Sequence, residues 1–210
     1  MASRVAVATD DFNRAALGAN WQQLVPLDGA ITIVGSTHLE TFDHAAARWI
    51  GAGTFSKNQY SSLVVKSIPD GGQGGFMGVI ARASGDLDTD ADWYVAGVTD
   101  DDTLTIAKRI NGVNTTLDTL PAIEFAVNDR IEIEVEGDAP NITIRALKNG
   151  VSLLEVTGES DLADGLPGVR LNIETTPVWQ ADDWEGGNLV TGVSMSFVSG
   201  SFVAVNPGHL

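Results

Sequence analysis

The sequence has no cysteine, few histidines and no long apolar run. Without cysteine the chain has no disulfide framework, no thiolate nucleophile and no cysteine-ligated metal site. No apolar stretch approaches the roughly 18 residues that cross a bilayer, and the first residues lack the apolar core of a signal peptide. His38, His44 and His209 have neither metal-ligand spacing nor triad partners. We therefore expect synthesis in a cytoplasm without export by a signal peptide.

Positive charge is also scarce, since 12 Lys and Arg face 28 Asp and Glu, giving a formal net charge of −16. The excess is uneven: residues 1–85 are neutral, residues 86–136 carry −10 and residues 137–210 carry −6. Such a charge repels phosphate backbones and anionic lipids, so we expect neither a nucleic-acid nor a membrane partner. The length of 210 residues and 43% hydrophobic content predict a folded domain rather than a disordered chain.

Alternation of apolar and polar residues dominates the chain and predicts β-strands. Residues Arg130–Glu136 alternate without interruption. Two Asn-Gly pairs, at 111–112 and 149–150, lie between strand-like runs and predict tight hairpins. Further strands are predicted at 31–34, 38–42, 60–67, 76–83, 93–98, 168–174 and 189–198.

No long segment has helical periodicity, although residues 160–165 could form one capped helical turn. Residues 43–50 have helix-forming composition but are expected to join a sheet. The predicted fold class is all-β, a two-sheet antiparallel sandwich with little or no helix. We expect one domain over residues 1–198, followed by a C-terminal tail over residues 199–210.

Both ends of the chain carry an Asp-Asp-aromatic segment. Asp10-Asp11-Phe12 near the start and Asp182-Asp183-Trp184 near the end resemble the opening and close of concanavalin A-like (laminin G-like) jelly-roll domains. Such domains occur in bacterial and tailed-phage structural proteins. The resemblance implies that the first and last strands pair and bring the two segments together. It implies little about function, because lectins, glycanases, adhesion modules and virion proteins share this fold.

The densest acidic stretch offers a candidate metal site at Asp86, Asp88, Asp90 and Asp92. Alternating aspartates are typical of the first half of a calcium loop, because hard oxygen ligands suit this cation. The stretch departs from an EF-hand, with Ala91 in place of the glycine and Gly97 in place of the final glutamate. It is therefore interpreted either as a calcium site or as a soluble loop between two strands.

Three aromatic residues are candidates for glycan binding: Trp93, Tyr94 and Trp179. Trp93 and Tyr94 follow the aspartates, and an aromatic ring beside carboxylates suits a sugar. Adjacent strand residues face opposite ways, so at most one of the two can line the loop. Trp179 lies in a loop-like stretch and is expected to be more exposed than the remaining tryptophans.

The glutamates of the 130–136 strand, Glu132, Glu134 and Glu136, have the alternate spacing found in glycanases of this fold. A glycoside hydrolase needs two carboxylates on one face. The residue between the outer two is Glu rather than the family's Asp, and no aromatic residue lies nearby in sequence. We interpret the three as a solvated face and predict that the chain is not an enzyme.

The predicted function is therefore a non-enzymatic virion structural protein of a tailed phage, as a capsid-decoration, head-fibre or tail-associated subunit. Its expected partners are other virion subunits or copies of itself in a homo-oligomer, with a host-surface glycan as a candidate contact. It would be located in the virion after synthesis in the host cytoplasm. The alternative is a lectin-like carbohydrate-binding module, with or without calcium. A glycoside hydrolase is the less favoured third hypothesis.

Overall fold

The structure, a computed structural model, describes residues 2–24, 29–41, 43–68, 75–85, 91–173 and 179–190. These residues form fifteen β-strands and no helix, and hence no helix able to cross a membrane. In chain order the strands are β1 (Ser3–Asp10), β2 (Trp21–Gln23), β3 (Thr32–Val34), β4 (His38–Glu40), β5 (Ala45–Trp49), β6 (Gln59–Ser67), β7 (Gly75–Ser84), β8 (Asp92–Thr99), β9 (Leu104–Ile110), β10 (Val113–Leu120), β11 (Arg130–Glu136), β12 (Ile142–Lys148), β13 (Val151–Glu159), β14 (Leu166–Ile173) and β15 (Gln180–Val190).

The strands form two antiparallel sheets. The first has the order β13-β12-β11-β6-β15-β4-β3, with β1 paired to β15 as an eighth strand. The second has the order β10-β9-β8-β7-β14-β5-β2. Strands that are distant in sequence, such as β6 and β15, are therefore neighbours in space, and this topology confirms the predicted antiparallel sandwich.

The main core lies between the two sheets and follows from the alternation in sequence. The apolar residues of β11, Ile131, Ile133 and Val135, point inward together with alternate residues of β7 such as Val79 and Ala81. All five side chains are fully buried. Successive residues of a strand face opposite sides, so the intervening glutamates of β11 lie on the outer face of the first sheet.

Both predicted Asn-Gly hairpins are confirmed. Asn111 and Gly112 connect β9 to β10, and Asn149 and Gly150 connect β12 to β13, all four with positive φ angles between 49° and 78°. A two-residue turn of this kind requires positive φ at both positions, which Asn and Gly tolerate best. The sequence signal is therefore local and depends on no tertiary contact.

The helical turn predicted at 160–165 is wrong. Leu162 is buried, and its N–H donates to the hydroxyl of Tyr94 at 3.2 Å. Its carbonyl accepts from Nη1 of Arg82 at 2.8 Å. These contacts hold the segment in a non-helical conformation. Residues 191–198, part of a predicted strand, and the predicted tail 199–210 lie outside the described residues.

The expected pairing of the first and last strands is confirmed. Thr9 lies opposite Glu185 and Asp10 lies opposite Trp184 in the β1–β15 ladder. The two Asp-Asp-aromatic segments are therefore neighbours at one end of the first sheet. Residues 43–50 also join a sheet as expected, since β5 pairs with β2 and β14.

Asp129, before β11, anchors the turn between β12 and β13. Its carboxylate accepts from the Ala126 N–H at 2.8 Å and from Nδ2 of Asn149 at 2.7 Å, and it lies 2.9 Å from Nζ of Lys148. Partial burial alone would raise the pKa of Asp129, but these hydrogen bonds and the lysine charge lower it. The carboxylate therefore stabilises the fold above its unfolded pKa, and this contribution is lost as pH falls through the lowered folded value.

We expect Asp129→Asn to lower the free energy of unfolding by about 1–2 kcal/mol at pH 7. The difference from wild type should shrink between pH 7 and pH 2, because the wild-type carboxyl takes up a proton as pH falls through its lowered folded pKa. Urea unfolding at both pH values measures it. A difference of equal size at the two pH values would contradict the assignment of the effect to the carboxylate charge.

Candidate functional site

A cavity of about 590 Å³ opens where β1 meets β15 at one end of the first sheet. Its lining combines carboxylates, two guanidinium groups, an amide, a hydroxyl and two indoles. The lining residues are Thr9, Asp10, Asp11, Arg14, Asn20, Trp49, Arg130, Asp183, Trp184 and Glu185. Cavities of this size, in the range of about 300–1,000 Å³, are typical of small-molecule sites.

A β-bulge in β15 shapes the cavity. Against β6, Asp182 lies opposite Val64 and Glu185 opposite Ser62, so β15 carries one extra residue here. Asp183, inside the bulge, has a φ of 47° and a side chain that is 51% exposed. Bulges re-aim the side chains they contain, and this one lets Asp183 and Glu185 both line the cavity.

Packed indoles form the cavity floor. The Trp184 ring lies 4.7 Å from that of Trp21 and 5.3 Å from that of Trp49, centroid to centroid. Nε1 of Trp184 donates to Oγ of Ser61 at 2.9 Å. All three tryptophans are almost fully buried, and only Trp49 and Trp184 line the cavity, so they support it from below and offer little surface for stacking.

Asp10 holds the end of β1 against this floor. It accepts from Nε1 of Trp21 at 2.7 Å, from the N–H of Phe12 at 2.9 Å and from both Nη atoms of Arg14 at 2.5 and 2.6 Å. Because its oxygens are occupied and only 8% of the residue is exposed, Asp10 positions the site and is not a ligand contact.

Glu185 is a cavity carboxylate that one hydrogen bond positions and that can still accept hydrogen bonds from a ligand. The hydroxyl of Tyr60 donates to its Oε1 at 2.7 Å. Burial, and then the Glu185 carboxylate, raise the pKa of Tyr60, so the phenol stays protonated and keeps donating at neutral pH. Arg130, from the start of β11, is fixed by a 2.7 Å hydrogen bond from Nη1 to Oγ of Ser62.

The accessible groups of the cavity therefore include both hydrogen-bond acceptors and hydrogen-bond donors. Asp11, Asp183 and Glu185 supply carboxylate oxygens, whereas Arg130 and Asn20 supply N–H donors. This arrangement suits a ligand with many hydroxyl groups. Several of these residues carry the fold resemblance in the sequence, but no local pattern predicted that any of them forms a site.

The glutamates of β11 lie elsewhere on the same sheet and are neutralised by arginines. Arg4 of β1 contacts Glu132 and donates to Oε1 of Glu134 at 2.8 Å. Arg145 of β12 lies 3.2 Å from Glu136. The interpretation as a solvated face is wrong for Glu132, which is 1% exposed, because Arg4 covers it from the neighbouring part of the sheet.

The three predicted glycan-binding aromatics lie in the interior. Trp93, Tyr94 and Trp179 are 1%, 0% and 1% exposed. Trp93 and Tyr94 do face opposite ways, since Tyr94 belongs to the core between the sheets and Trp93 to a second cluster on the other face of the second sheet. Tyr94 lies in the core and the guanidinium of Arg109 lies over the Trp93 ring, so neither ring is available for sugar stacking in this structure. Trp179 is not the exposed residue expected.

The predicted calcium ligands Asp86, Asp88 and Asp90 lie outside the described residues. Asp92 is described, and its Oδ1 accepts from the N–H of Asn111 at 2.7 Å. In the described segments no group of three or more metal-ligating side chains comes together. Calcium binding stays a prediction.

The fold is similar to those of several lectins and glycanases. A Bacillus subtilis protein with a galectin-like fold has a TM-score of 0.62 at 14% identity, over 91% of this chain and 100% of its own. A Bacillus licheniformis β-glucanase has a TM-score of 0.59 at 12% identity, over 88% and 98%. The potassium-bound carbohydrate recognition domain of Emp46p has a TM-score of 0.59 at 6% identity, over 87% and 97%. No known family and no curated protein matches the chain by sequence.

These likenesses show the fold, a concanavalin A-like jelly roll that lectin domains and glucanases share. They also correct one expectation. The prediction that the chain is not an enzyme is wrong as an exclusion, because glucanases and an endo-β-galactosidase share this fold over most of the chain. At identities of 9–14% these likenesses show the fold alone, and any enzymatic activity has to be argued from the residues of the site.

Proposed function

We propose that this chain binds carbohydrate in the cavity at the bulge of β15. The observation that carries the proposal is the lining of that cavity, where Asp11, Asp183, Glu185, Arg130 and Asn20 surround a floor of packed indoles. Carboxylates and guanidinium groups form the strong, charge-assisted hydrogen bonds that hold hydroxyl groups in competition with water.

The fold supports the same proposal. One structural neighbour is a carbohydrate recognition domain and another is a β-glucanase. Ligand specificity in a shared fold is set by the site rather than by the architecture. In this chain the bulge of β15 and the loop after β1 supply that site.

We expect Glu185→Gln to weaken glycan binding about tenfold or more, because the substitution replaces a charge-assisted hydrogen bond by a neutral one. A glycan array identifies the ligand, and calorimetric titration of wild type and variant measures the loss. The matched control is Glu155→Gln on β13, which makes the same substitution away from the cavity and should bind as wild type does. A variant that binds as tightly as wild type, or a blank array, would refute the proposal.

Hydrolysis of the bound glycan is a second candidate, favoured by the pair Asp183 and Glu185 in one cavity. Glycoside hydrolases use two carboxylates that flank the scissile bond, one as acid and one as base or nucleophile. Release of new reducing ends from the glycan that the array identifies tests this candidate. Hydrolysis that disappears in Glu185→Gln would assign activity to the cavity, whereas binding without release of reducing ends would leave the binding function alone.

The phage virion setting, the homo-oligomer and location in the virion stay predictions from the sequence. The proposed glycan site is compatible with that setting, because a particle that reaches a host surface meets glycans there. Co-sedimentation of the chain with phage particles tests the setting separately from the site.

A further inference from the structure

Two arginines of this acidic protein have no oxygen acceptor among the described residues, and they lie together. Ten of the twelve Lys and Arg side chains contact a carboxylate or another oxygen acceptor. Arg109 of β9 and Arg170 of β14 instead contact aromatic rings, and neither has an oxygen acceptor in the part of the chain that the structure describes. With 28 acidic residues in the chain, two arginines without any oxygen acceptor in the described residues are an unexpected arrangement.

Both arginines lie on the outer face of the second sheet, away from the cavity. The guanidinium of Arg109 lies over the Trp93 ring at 5.3 Å, and that of Arg170 lies over the Phe76 ring at 5.1 Å. Arg170 lies across from Gly78, which in turn lies across from Gly97. A Cβ at either glycine would collide with the Phe76 ring. Glycine at both positions therefore leaves room for that ring under the guanidinium of Arg170.

Polar atoms without a partner collect on the same face. In the described residues, four buried side-chain nitrogen or oxygen atoms lack any hydrogen bond, and three of them are Nε of Arg170, Oδ1 of Asn172 and Nε1 of Trp93. Asn172 follows Arg170 by two residues on β14, so the two side chains leave the sheet on one side. A buried polar atom without a partner costs free energy comparable to a lost hydrogen bond. Three such atoms beside two unpaired cations indicate a site that is incomplete without a ligand.

The electrostatics point the same way. Burial, and after it the charge of Arg109, lower the pKa of Arg170 to about 10. The fold therefore holds two like charges near each other in a partly dehydrated place, which is unfavourable in the absence of an anion. An oxyanion between the two guanidinium groups would remove this repulsion.

We propose that Arg109, Arg170 and Asn172 form an oxyanion-binding site on the outer face of the second sheet. The guanidinium groups donate to a carboxylate, sulfate or phosphate group, and Oδ1 of Asn172 accepts from a hydroxyl of the same ligand. This combination fits an acidic, hydroxylated molecule such as a sugar that carries a carboxylate. The site is independent of the glycan cavity, which lies on the other sheet.

The test uses the full chain, with glucuronate, glucose and sodium sulfate as probes at low ionic strength. NMR of the arginine Nε–H groups reports on the site directly, since a new hydrogen bond shifts the Nε–H signal of Arg170. We expect glucuronate to shift this signal and glucose to leave it unchanged. Sulfate binding as tightly as glucuronate would identify a free oxyanion as sufficient, whereas tighter binding of glucuronate would assign a role to the hydroxyl contact at Asn172.

Arg170→Gln and Arg109→Gln should each weaken glucuronate binding about tenfold or more. Lys57→Gln is the charge-matched control, because it removes a cation whose ion pair with Asp138 is exposed, and it should bind as wild type does. Glu185→Gln distinguishes this site from the cavity, since it should leave the Arg170 signal responsive to glucuronate. If one arginine variant fails to fold, the other variant and the titration of the wild-type Arg170 Nε–H signal still test the oxyanion site. An Arg170 signal that no oxyanion shifts, or arginine variants that bind as wild type does, would overturn the proposal.

Discussion

Asp10→Ala will lower the free energy of unfolding by about 3–5 kcal/mol, among the largest losses expected from a single substitution in this chain. The carboxylate accepts four hydrogen bonds, from Trp21, from Phe12 and two from Arg14. Its removal leaves an indole N–H and a backbone N–H unpaired in the interior and an arginine without its partner. Chemical denaturation of wild type and variant measures the difference.

The adjacent carboxylate provides the control for this prediction. Asp11 is exposed and bonds locally to the N–H of Asn13, so Asp11→Ala should leave the unfolding midpoint close to that of wild type. Asp10→Asn should lie between wild type and Asp10→Ala, because the amide oxygen still accepts from one donor. Equal stability of Asp10→Ala and Asp11→Ala would mean that the Asp10 cluster does not hold the end of β1.

Trp184→Ala should cost about 3–5 kcal/mol of unfolding free energy for a different reason, the loss of a large buried side chain. The indole is 1% exposed and packs on Trp49 and Trp21, and its Nε1 donates to Ser61. The substitution leaves a void under the cavity, between β15 and the strands that carry the other two indoles.

Trp184→Phe separates packing from the hydrogen bond. It retains a ring in the cluster but leaves Oγ of Ser61 without its indole donor, so we expect a loss of about 1–2 kcal/mol. Thermal and urea unfolding of both variants measure the two losses. A Trp184→Ala protein as stable as Trp184→Phe would show that the indole cluster contributes little to the core.

The strand pattern and the hairpins could be predicted from the sequence because they depend on neighbouring residues. Residues Arg130–Glu136 alternate without a fault and form β11 over the same bounds. The three residues of β2, Trp21–Gln23, do not alternate between apolar and polar, so this strand gave no signal, whereas the equally short β3 and β4 lie within predicted strands. The turn predicted at 160–165 failed because tertiary contacts of Leu162 override local helix capping.

The approach of the two chain ends was predicted from their resemblance to a known fold, but the site that it creates was not. The cavity depends on one extra residue in β15, which re-aims Asp183 and Glu185 relative to β6. A bulge is set by the register of two strands, and no local pattern in the sequence records that register. The proximity of Arg109 and Arg170 could not be predicted either, because they are 61 residues apart in the sequence and strand pairing brings them together.

The aromatic candidates illustrate a second limit. Alternation correctly placed Trp93 and Tyr94 on opposite faces of one strand. Whether a ring on an outer face meets solvent or another side chain is a tertiary property, and here the guanidinium of Arg109 lies over the Trp93 ring. Burial of both rings therefore moves the candidate glycan site from the second sheet to the end of the first.

The most direct test of the glycan cavity is the response of the five tryptophan indole N–H signals to a neutral oligosaccharide that the array selects. Trp49 and Trp184 line the cavity, whereas Trp93 and Trp179 are buried elsewhere. The account predicts that the Trp49 and Trp184 signals shift on titration while the Trp93 and Trp179 signals stay in place. Shifts at Trp93 or Trp179 with Trp49 and Trp184 unchanged would contradict it.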